Sequence, residues 1–202
     1  MFWPWSSPAP VVTLRGRGIM LRLPHMRDYQ AWYELRRASQ DFLRPFEPRW
    51  TELDLTRRVY ALRVRRAAEE ATEGSDYTFF VFLEEDSGQT LVGGITLSNI
   101  RRRAAQFVNL GYWMGQQYAG RGLMTQAVHL TLPFVFETLA LHRINAAFLP
   151  GNMPSRRVLE KNGFVEEGYA KHYLQINGRW EDHVLFGLTR ERYENMRYKP
   201  RV

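Results

Sequence analysis

The chain is 202 residues long, contains no cysteine and carries a formal net charge of +7, with 28 Lys and Arg against 21 Asp and Glu. This length suits one domain with a sizeable core, and the lack of cysteine excludes disulfides, thiolate metal sites and a cysteine nucleophile. The five histidines are scattered without ligand spacing, so we expect no metal, and the basic charge favours an anionic partner without identifying it.

Residues 1–14 are rich in aromatic residues and proline, but they lack the basic start and continuous apolar core of a secretory signal. We interpret them as an N-terminal arm before a single domain over residues 15–202. The longest apolar run, residues 130–136, is far shorter than the ~18 residues that a membrane-spanning helix needs. The sequence therefore predicts a cytoplasmic protein without a membrane partner.

The predicted elements mix helices and strands, which indicates an α/β (α+β) fold class. In chain order they are strand 19–23, helix 28–38, a proline-containing loop to Trp50, helix 53–71, and strands 77–84, 90–98 and 106–114. Then come helix 123–138, strand 143–149, helix 154–162, and strands 164–175 and 180–188 joined at Asn177-Gly178. Pro133 is expected to kink or divide helix 123–138, because proline removes a backbone hydrogen bond and clashes with the preceding turn.

Two arginine runs, residues 63–66 and 101–103, are the densest positive segments. Neither run is interleaved with aromatic side chains that would stack on bases, so both are poor evidence for nucleic-acid contacts. We interpret them as the solvated face of a helix and a solvated hairpin turn. No direct DNA binding is expected.

An alternating strand ends in the segment Gln117-Tyr118-Ala119-Gly120-Arg121-Gly122, which leads directly into a helix. Two glycines let backbone N–H groups converge there, and the positive end of the helix lies at the same point, so this turn suits a pyrophosphate. The spacing differs from a P-loop and from Gly-x-Gly-x-x-Gly, which disfavours nucleoside triphosphates and NAD. An ordinary glycine turn is the alternative interpretation.

About one βαβ unit later, Asn152-Met153-Pro154-Ser155 begins another helix. Asparagine and serine are common at such positions for local reasons, since their side chains cap helices and stabilise turns. From the residues alone, Asn152 and Ser155 are therefore either capping groups or ligand-binding groups.

Together, the two motifs resemble the GCN5-related N-acetyltransferase (GNAT) superfamily, whose members bind acetyl-coenzyme A with Gln/Arg-x-x-Gly-x-Gly/Ala and with an asparagine before a short helix. The resemblance implies the GNAT fold, a mixed, mostly antiparallel central sheet of about seven strands flanked by about four helices. It also implies acetyl-CoA as cosubstrate, bound by Tyr112, Trp113, Met114, Gln117, Ala119, Gly120, Arg121, Gly122, Asn152 and Ser155.

Further segments resemble the branch that acetylates N-terminal alanines of ribosomal proteins, namely residues 41–50, 92–95, 110–113, 141–144 and 182–185. This similarity implies direct transfer of acetyl to a primary amine, the N-terminal alanine of a ribosomal protein, and raises association with the ribosome. Two alternative functions stay open: acetylation of an aminoglycoside or polyamine, and a non-catalytic acyl-CoA-binding module. For the assembly, a homodimer stays open.

Acetyl transfer needs a neutral amine, a polarised carbonyl and stabilisation of the departing thiolate. A backbone N–H of the strand that ends at Met114 is the group expected to polarise the carbonyl. Many relatives carry a tyrosine seven residues after the asparagine to protonate the thiolate, but here Leu159 stands there, and leucine cannot donate a proton. The resemblance assigns this role to the hydroxyl of Ser155, with water as the alternative.

The general base is a separate question, because an N-terminal amine has a pKa near ~8 and needs little help to lose a proton at neutral pH. Two carboxylates are nevertheless candidates. Glu47, between Phe46 and Pro48, comes first, since its loop is expected to face an acceptor groove and to attract a cationic amine. Asp182, on the final strand, comes second.

Overall fold

One open sheet of eight strands runs through the part of the chain that the structure, a computed structural model, describes, which is residues 12–86 and 88–198. The strands lie in the order β1-β2-β3-β4-β5-β6-β8-β7. Their bounds are β1 Thr13–Gly16, β2 Ile19–Arg22, β3 Tyr77–Glu85, β4 Gly88–Arg101, β5 Phe107–Met114, β6 Arg143–Phe148, β7 Val165–Ile176 and β8 Arg179–Thr189.

Helices pack on both faces of the sheet. Within the described residues their bounds are α1 Tyr29–Ala38, α2 Gln40–Leu43, α3 Arg57–Glu73, α4 Leu123–Pro133, α5 Met153–Lys161 and α6 Arg190–Tyr198. The predicted mixed fold is confirmed, with eight strands where about seven were expected and six helices where about four were expected. None of these helices is both long enough and apolar enough to span a bilayer.

The elements that the sequence did not predict are β1, α2 and α6. The predicted N-terminal arm, residues 1–14, lies mostly outside the described residues, but its last two residues, Thr13 and Leu14, belong to β1. They pair with Arg22 and Leu21 of β2. Four residues with a largely exposed side-chain pattern carry little hydrophobic periodicity, so pairing with β2, rather than local sequence, defines this strand.

Alternation of side chains along β3 divides the core into two layers. Phe79 and Val81 are fully buried in the layer that includes Val128 of α4. Phe80, between them in sequence, faces the other layer, where its ring centroid lies 6.4 Å from that of Tyr60 in α3. The sheet therefore has one face under α4 and α5 and the other under α1 and α3.

Pro133 ends α4, which confirms that this helix is divided there. The next turn, Phe134–Thr138, is π-helical, and the N–H of Leu139 donates to the C=O of Phe134 at 2.8 Å. Proline cannot donate the backbone hydrogen bond that a regular helix needs, and the wider turn accommodates this change. The turn also places the ring of Phe134 edge-on to Tyr77 in the core.

β5 and β6 form the parallel pair of the described sheet, and they pair over only part of their length. The pairing covers Phe107 to Leu110 of β5, although this strand continues to Met114. On their outer sides β5 stays paired with β4, and β6 with β8, to the last residue of each strand. The two strands therefore diverge after Leu110 and leave a gap in the sheet.

Arg22 and Asp28 form a buried ion pair between β2 and the start of α1. The side chains are only 10% and 7% exposed, and the two N–O distances are 2.7 and 2.6 Å. The N–H of His25 also donates to the Asp28 carboxylate, at 2.8 Å. This network fixes the chain where it leaves the sheet for α1.

Removing one member of this buried pair is expected to cost far more than removing a surface partner. Asp28→Ala leaves the Arg22 guanidinium buried without its counter-ion, so we expect the free energy of unfolding to fall by about 3–5 kcal/mol. Glu69→Ala, which removes the partner of exposed Arg65, is the control and should cost much less, because water and salt screen an exposed ion pair. Urea denaturation of both variants measures the difference, and losses of similar size would contradict this account.

Candidate active site

The gap between β5 and β6 leaves backbone groups without strand partners. The N–H of Gly115 donates to the C=O of Val92 at 2.9 Å, which directs the backbone groups of every second residue, including Trp113, toward β4. By alternation, the N–H and C=O groups of Tyr112 and Met114 point into the gap. An N–H in this position suits the predicted polarisation of a carbonyl.

The loop after β5 turns into α4 through two left-handed glycines. Gly120 and Gly122 have φ of +77° and +78°, and Gly122 is the N-cap residue of α4. A Cβ at either position would meet nothing within 4 Å, so backbone conformation rather than space requires glycine here. The first N–H groups of α4 lack intrahelical acceptors, and the helix dipole adds positive potential at the same point. The other predicted loop residues are exposed beside these glycines: Gln117, Ala119 and Arg121.

The start of α5 lies against the same part of β5. Asn152 is the N-cap residue, and its Oδ1 accepts a hydrogen bond from the N–H of Ser155 at 3.1 Å. Ser155 is 8% exposed, and its Oγ lies 2.6 Å from the hydroxyl oxygen of Tyr112. Burial raises the pKa of Tyr112 to about 12, so its phenol is protonated at neutral pH. The capping role of Asn152 occupies its carbonyl oxygen and leaves its amide N–H groups for a ligand.

Trp113 lies on the opposite face of β5, where glycines allow close packing. A Cβ at Gly94 would lie 2.5 Å from Nε1 of Trp113, so the indole covers this glycine directly. A Cβ at Gly115 would overlap the side chain of Leu35 in α1. Glycine at these two positions therefore lets an indole and a helix approach the sheet on this face.

Glu47 reaches the Trp113 face, but its carboxylate is already engaged. Its two oxygens accept hydrogen bonds from the Arg36 guanidinium at 2.7 and 2.5 Å, and one also accepts from Nε1 of Trp50 at 3.0 Å. The guanidinium carbon lies 5.0 Å from the Trp50 ring centroid and 4.9 Å from that of Trp113. Both oxygens of the Glu47 carboxylate are therefore already engaged by donors, and this geometry opposes a role as general base.

A cavity of about 530 Å³ opens beside these side chains, between α1, α3 and the sheet. Trp50 and Trp113 form part of its wall. Its charged lining is balanced, with four carboxylates and four guanidinium groups: Glu47, Asp54, Glu70, Asp76, Arg36, Arg49, Arg63 and Arg66. The lining of the cavity therefore has no net charge.

The turn between β7 and β8 is joined to the Glu47 loop. The N–H of Asn177 donates to the backbone C=O of Glu47 at 2.8 Å. Asn177 and Gly178 have φ of +45° and +84°, which matches the predicted Asn-Gly hairpin turn. Segments that are more than a hundred residues apart in the chain thus meet beside the cavity.

Asp182, the second candidate for the general base, lies on β8 beside an irregular part of β7. Its carboxylate lies outside the lining of the cavity and accepts from the N–H of His172 at 2.8 Å and from the hydroxyl of Tyr169 at 2.9 Å. The His172 N–H, followed by the Tyr169 hydroxyl, lowers the pKa of Asp182 and weakens it as a proton acceptor. The carboxylate instead stabilises an irregular part of β7, where His172 has a φ of +48°.

Two side-chain contacts of the site carry little sequence signal. Arg36 is one of two consecutive arginines in α1, and only the tertiary structure pairs it with Glu47. The Tyr112 hydroxyl meets Ser155, 43 residues later in the chain. Leu159 is 1% exposed in the core, as its apolar side chain requires. In the described residues no cluster of three His, Asp or Glu side chains is arranged to hold a metal ion.

Known proteins are similar to this chain in sequence and in fold. A family model described as an acetyltransferase (GNAT) domain matches residues 19–165. The chain is 34% identical over 185 residues to the ribosomal protein uS5-alanine N-acetyltransferase of Escherichia coli, covering 92% of this chain and 94% of that protein. It is also similar to the solved structure of Mycobacterium smegmatis RimJ in complex with CoA-disulfide, with 34% identity, a TM-score of 0.81, and coverage of 90% of this chain and 87% of that one. The structure of ribosomal-protein-S5-alanine acetyltransferase from Vibrio fischeri gives 31% identity and a TM-score of 0.81, covering 94% of this chain and all (100%) of that one.

The hydrogen bonds of Asp182 predict a pH-dependent contribution to stability. An aspartate pKa is near ~3.9 in the unfolded chain and lower here, so the contribution is present above about pH 4 and is lost as the pH falls through the folded-state pKa. We expect Asp182→Asn to destabilise the protein most near neutral pH. Urea denaturation of the wild type and the variant over a pH series measures this, and a difference that does not shrink in acid would contradict it.

Proposed function

The chain belongs to the acetyltransferase (GNAT) family and is an N-acetyltransferase, and from that premise we propose that it transfers acetyl from acetyl-CoA directly to the N-terminal alanine of a ribosomal protein. The gap between β5 and β6 is the observation that carries this proposal. Backbone donors of β5, the glycine turn before α4 and the N-terminus of α5 all adjoin that gap. A thioester and an amine can therefore meet within the sheet.

The residues present fit acetyl-CoA. The loop N–H groups at Gly120 and Gly122 and the start of α4 suit the pyrophosphate, because a helix N-terminus favours anions. The free amide N–H groups of Asn152 suit the pantetheine arm, which is a chain of amides. The N–H of Tyr112 or Met114 would donate to the thioester carbonyl oxygen as negative charge develops there. Ser155 then supplies a proton to the departing thiolate.

The proposed transfer is direct, and since the chain has no cysteine it does not pass through an acetyl-cysteine intermediate. The amine approaches from the Trp113 face and the thioester from the Ser155 face, since alternation places these side chains on opposite sides of β5. Glu47 attracts the protonated amine to the mouth of the gap. The amine then loses its proton to water.

A protein N-terminus suits the acceptor cavity better than a polyamine or an aminoglycoside does. Those small polycations need a clear excess of carboxylates over positive charge, whereas the cavity lining contains four of each. Here, Asp54 and Glu70 are paired with Arg63 and Arg66. An extended peptide has a single terminal amine followed by an uncharged backbone, and it places one positive charge near Glu47. The similarity to an enzyme named for ribosomal protein uS5-alanine supports this acceptor.

The net charge of the chain bears on how the enzyme meets its acceptor. Ribosomal proteins are commonly basic, and this chain has a net charge of +7, so two free proteins repel each other at low ionic strength. A particle that also contains RNA presents negative charge that attracts the enzyme. The proposed partner is therefore an acceptor on an assembling ribosomal particle.

Gly120→Ala tests the proposed pyrophosphate turn. A side chain there strains a φ of +77° and narrows the approach to the loop N–H groups, so we expect affinity for coenzyme A to fall by roughly 10-fold or more. Gly74→Ala is the matched control: it imposes similar strain at a φ of +69°, at the end of α3. Calorimetric titration of both folded variants separates the effects, and equal affinities would refute the turn as the pyrophosphate site.

The acceptor is identified by incubating enzyme and acetyl-CoA with a pool of alanine-starting peptides, ribosomal particles, a polyamine and an aminoglycoside, followed by mass spectrometry. We expect acetylation of N-terminal alanine. Glu47→Gln should raise the acceptor KM by roughly 5-fold or more while coenzyme A affinity is unchanged, because the carboxylate charge is lost on the acceptor face only. Glu70→Gln, which removes another carboxylate of the same cavity, should leave that KM unchanged. Efficient modification of only the polyamine or aminoglycoside would exclude the protein acceptor.

A further inference from the structure

The hydroxyl of Tyr112, on β5, lies beside Ser155, whereas the nearby position 159 of α5 has a leucine. The distance from the Tyr112 hydroxyl oxygen to Ser155 Oγ is 2.6 Å, whereas the same hydroxyl lies 3.3 Å from the Ser155 carbonyl oxygen. The shorter contact is in the range of a strong O–H···O hydrogen bond. Leu159, one turn further along α5, is buried in the core and cannot take part in proton transfer.

Several features hold these two hydroxyls together. The N–H of Ser155 is tied to Oδ1 of Asn152, which fixes the first turn of α5. Tyr112 sits in β5, whose other edge is paired with β4 through this position, Ile95↔Tyr112. Because both partners are on anchored backbone, the hydroxyl pair is built into the fold and does not depend on a flexible side chain.

We propose that Tyr112 is a positioning residue for the transfer step, whose phenol donates to Ser155 Oγ and leaves the serine proton directed at the departing thiolate. This inference rests on the proposed function. A phenol is a stronger acid than an aliphatic alcohol, so Tyr112 is the natural donor of the pair. Chains of hydrogen bonds polarise one another, and Ser155 becomes a better proton donor when its oxygen accepts from Tyr112.

The amine nitrogen forms a bond to the acetyl carbon, the carbon–sulfur bond breaks, and the electron pair of that bond goes to sulfur. Sulfur takes the proton of Ser155 as water protonates Oγ in the same step, so no free alkoxide forms, and the hydrogen bond from Tyr112 stabilises the partial charge on Oγ. The proton lost by the acylated nitrogen passes to water. The phenol keeps its proton throughout, which its burial favours.

The two hydroxyls should act as one unit in a double-mutant cycle. Wild type, Tyr112→Phe, Ser155→Ala and the double variant are compared by release of coenzyme A thiol with any amine that the wild type acetylates. We expect Tyr112→Phe to lower kcat roughly 10-fold with the acetyl-CoA KM within about two-fold, as for loss of an interaction made in the transition state. The double variant should be no slower than Ser155→Ala, because Tyr112 acts only through Ser155.

A purely structural role for Tyr112 predicts a different result. In that case the two losses multiply in the double variant, and this outcome would overturn the inference, as would wild-type kcat in Tyr112→Phe. Tyr77→Phe, at a buried tyrosine that packs against Phe79 and Phe134 two strands away, is the control and should leave kcat unchanged. A wild type that acetylates no amine would instead refute the proposed function.

Replacement of Tyr112 by 3-fluorotyrosine gives a second test if Tyr112→Phe does not fold. The ring keeps its shape and its hydroxyl, but the phenol becomes a stronger acid. We expect kcat to change while the acetyl-CoA KM stays within about two-fold, because only the donor strength toward Ser155 differs. An unchanged kcat in this protein would overturn the inference.

Discussion

The central constraint in this structure is that β5 keeps a strand partner on one side only after Leu110. A backbone group without a partner costs about 1–3 kcal/mol if it is also shielded from water. Here these groups line an opening that solvent or a substrate can enter, so the sheet tolerates the interruption. The glycine turn and α4 follow β5 in the chain, and α5 follows β6. Both helices thus direct their N-termini toward the same opening.

Because side chains alternate along a strand, the two faces of β5 make different contacts. Tyr112 meets Ser155 on one face, and Trp113 meets Arg36 on the other. A shift of one residue in register would exchange these faces, and both sets of contacts would be lost together. Pairing of β5 with β4 through Gly94 prevents such a shift, because only glycine accommodates the indole above it.

The sequence predicted those parts of the fold whose cause is local. Left-handed glycines at 120 and 122, the Asn152 cap and the Asn177-Gly178 turn all depend on the conformational preferences of a few adjacent residues. The division of α4 at Pro133 is of the same kind. The state of a carboxylate is different, because it depends on which distant group lies next to it. Glu47 is paired by an arginine of α1, and Asp182 is engaged by a strand irregularity at His172. Neither partner can be inferred from spacing.

The order of strands has a consequence for the time at which the protein becomes an enzyme during its own synthesis. β8 lies between β6 and β7, although it is made after both. Until it emerges, β6 lacks its outer neighbour, β7 has no strand to pair with, and the loop at Glu47 lacks the bond from Asn177. A nascent chain can thus contain both turns, at residues 117–122 and 152–155, before the strand that supports the cleft between them has been made. The site is completed only when β8 inserts between β6 and β7.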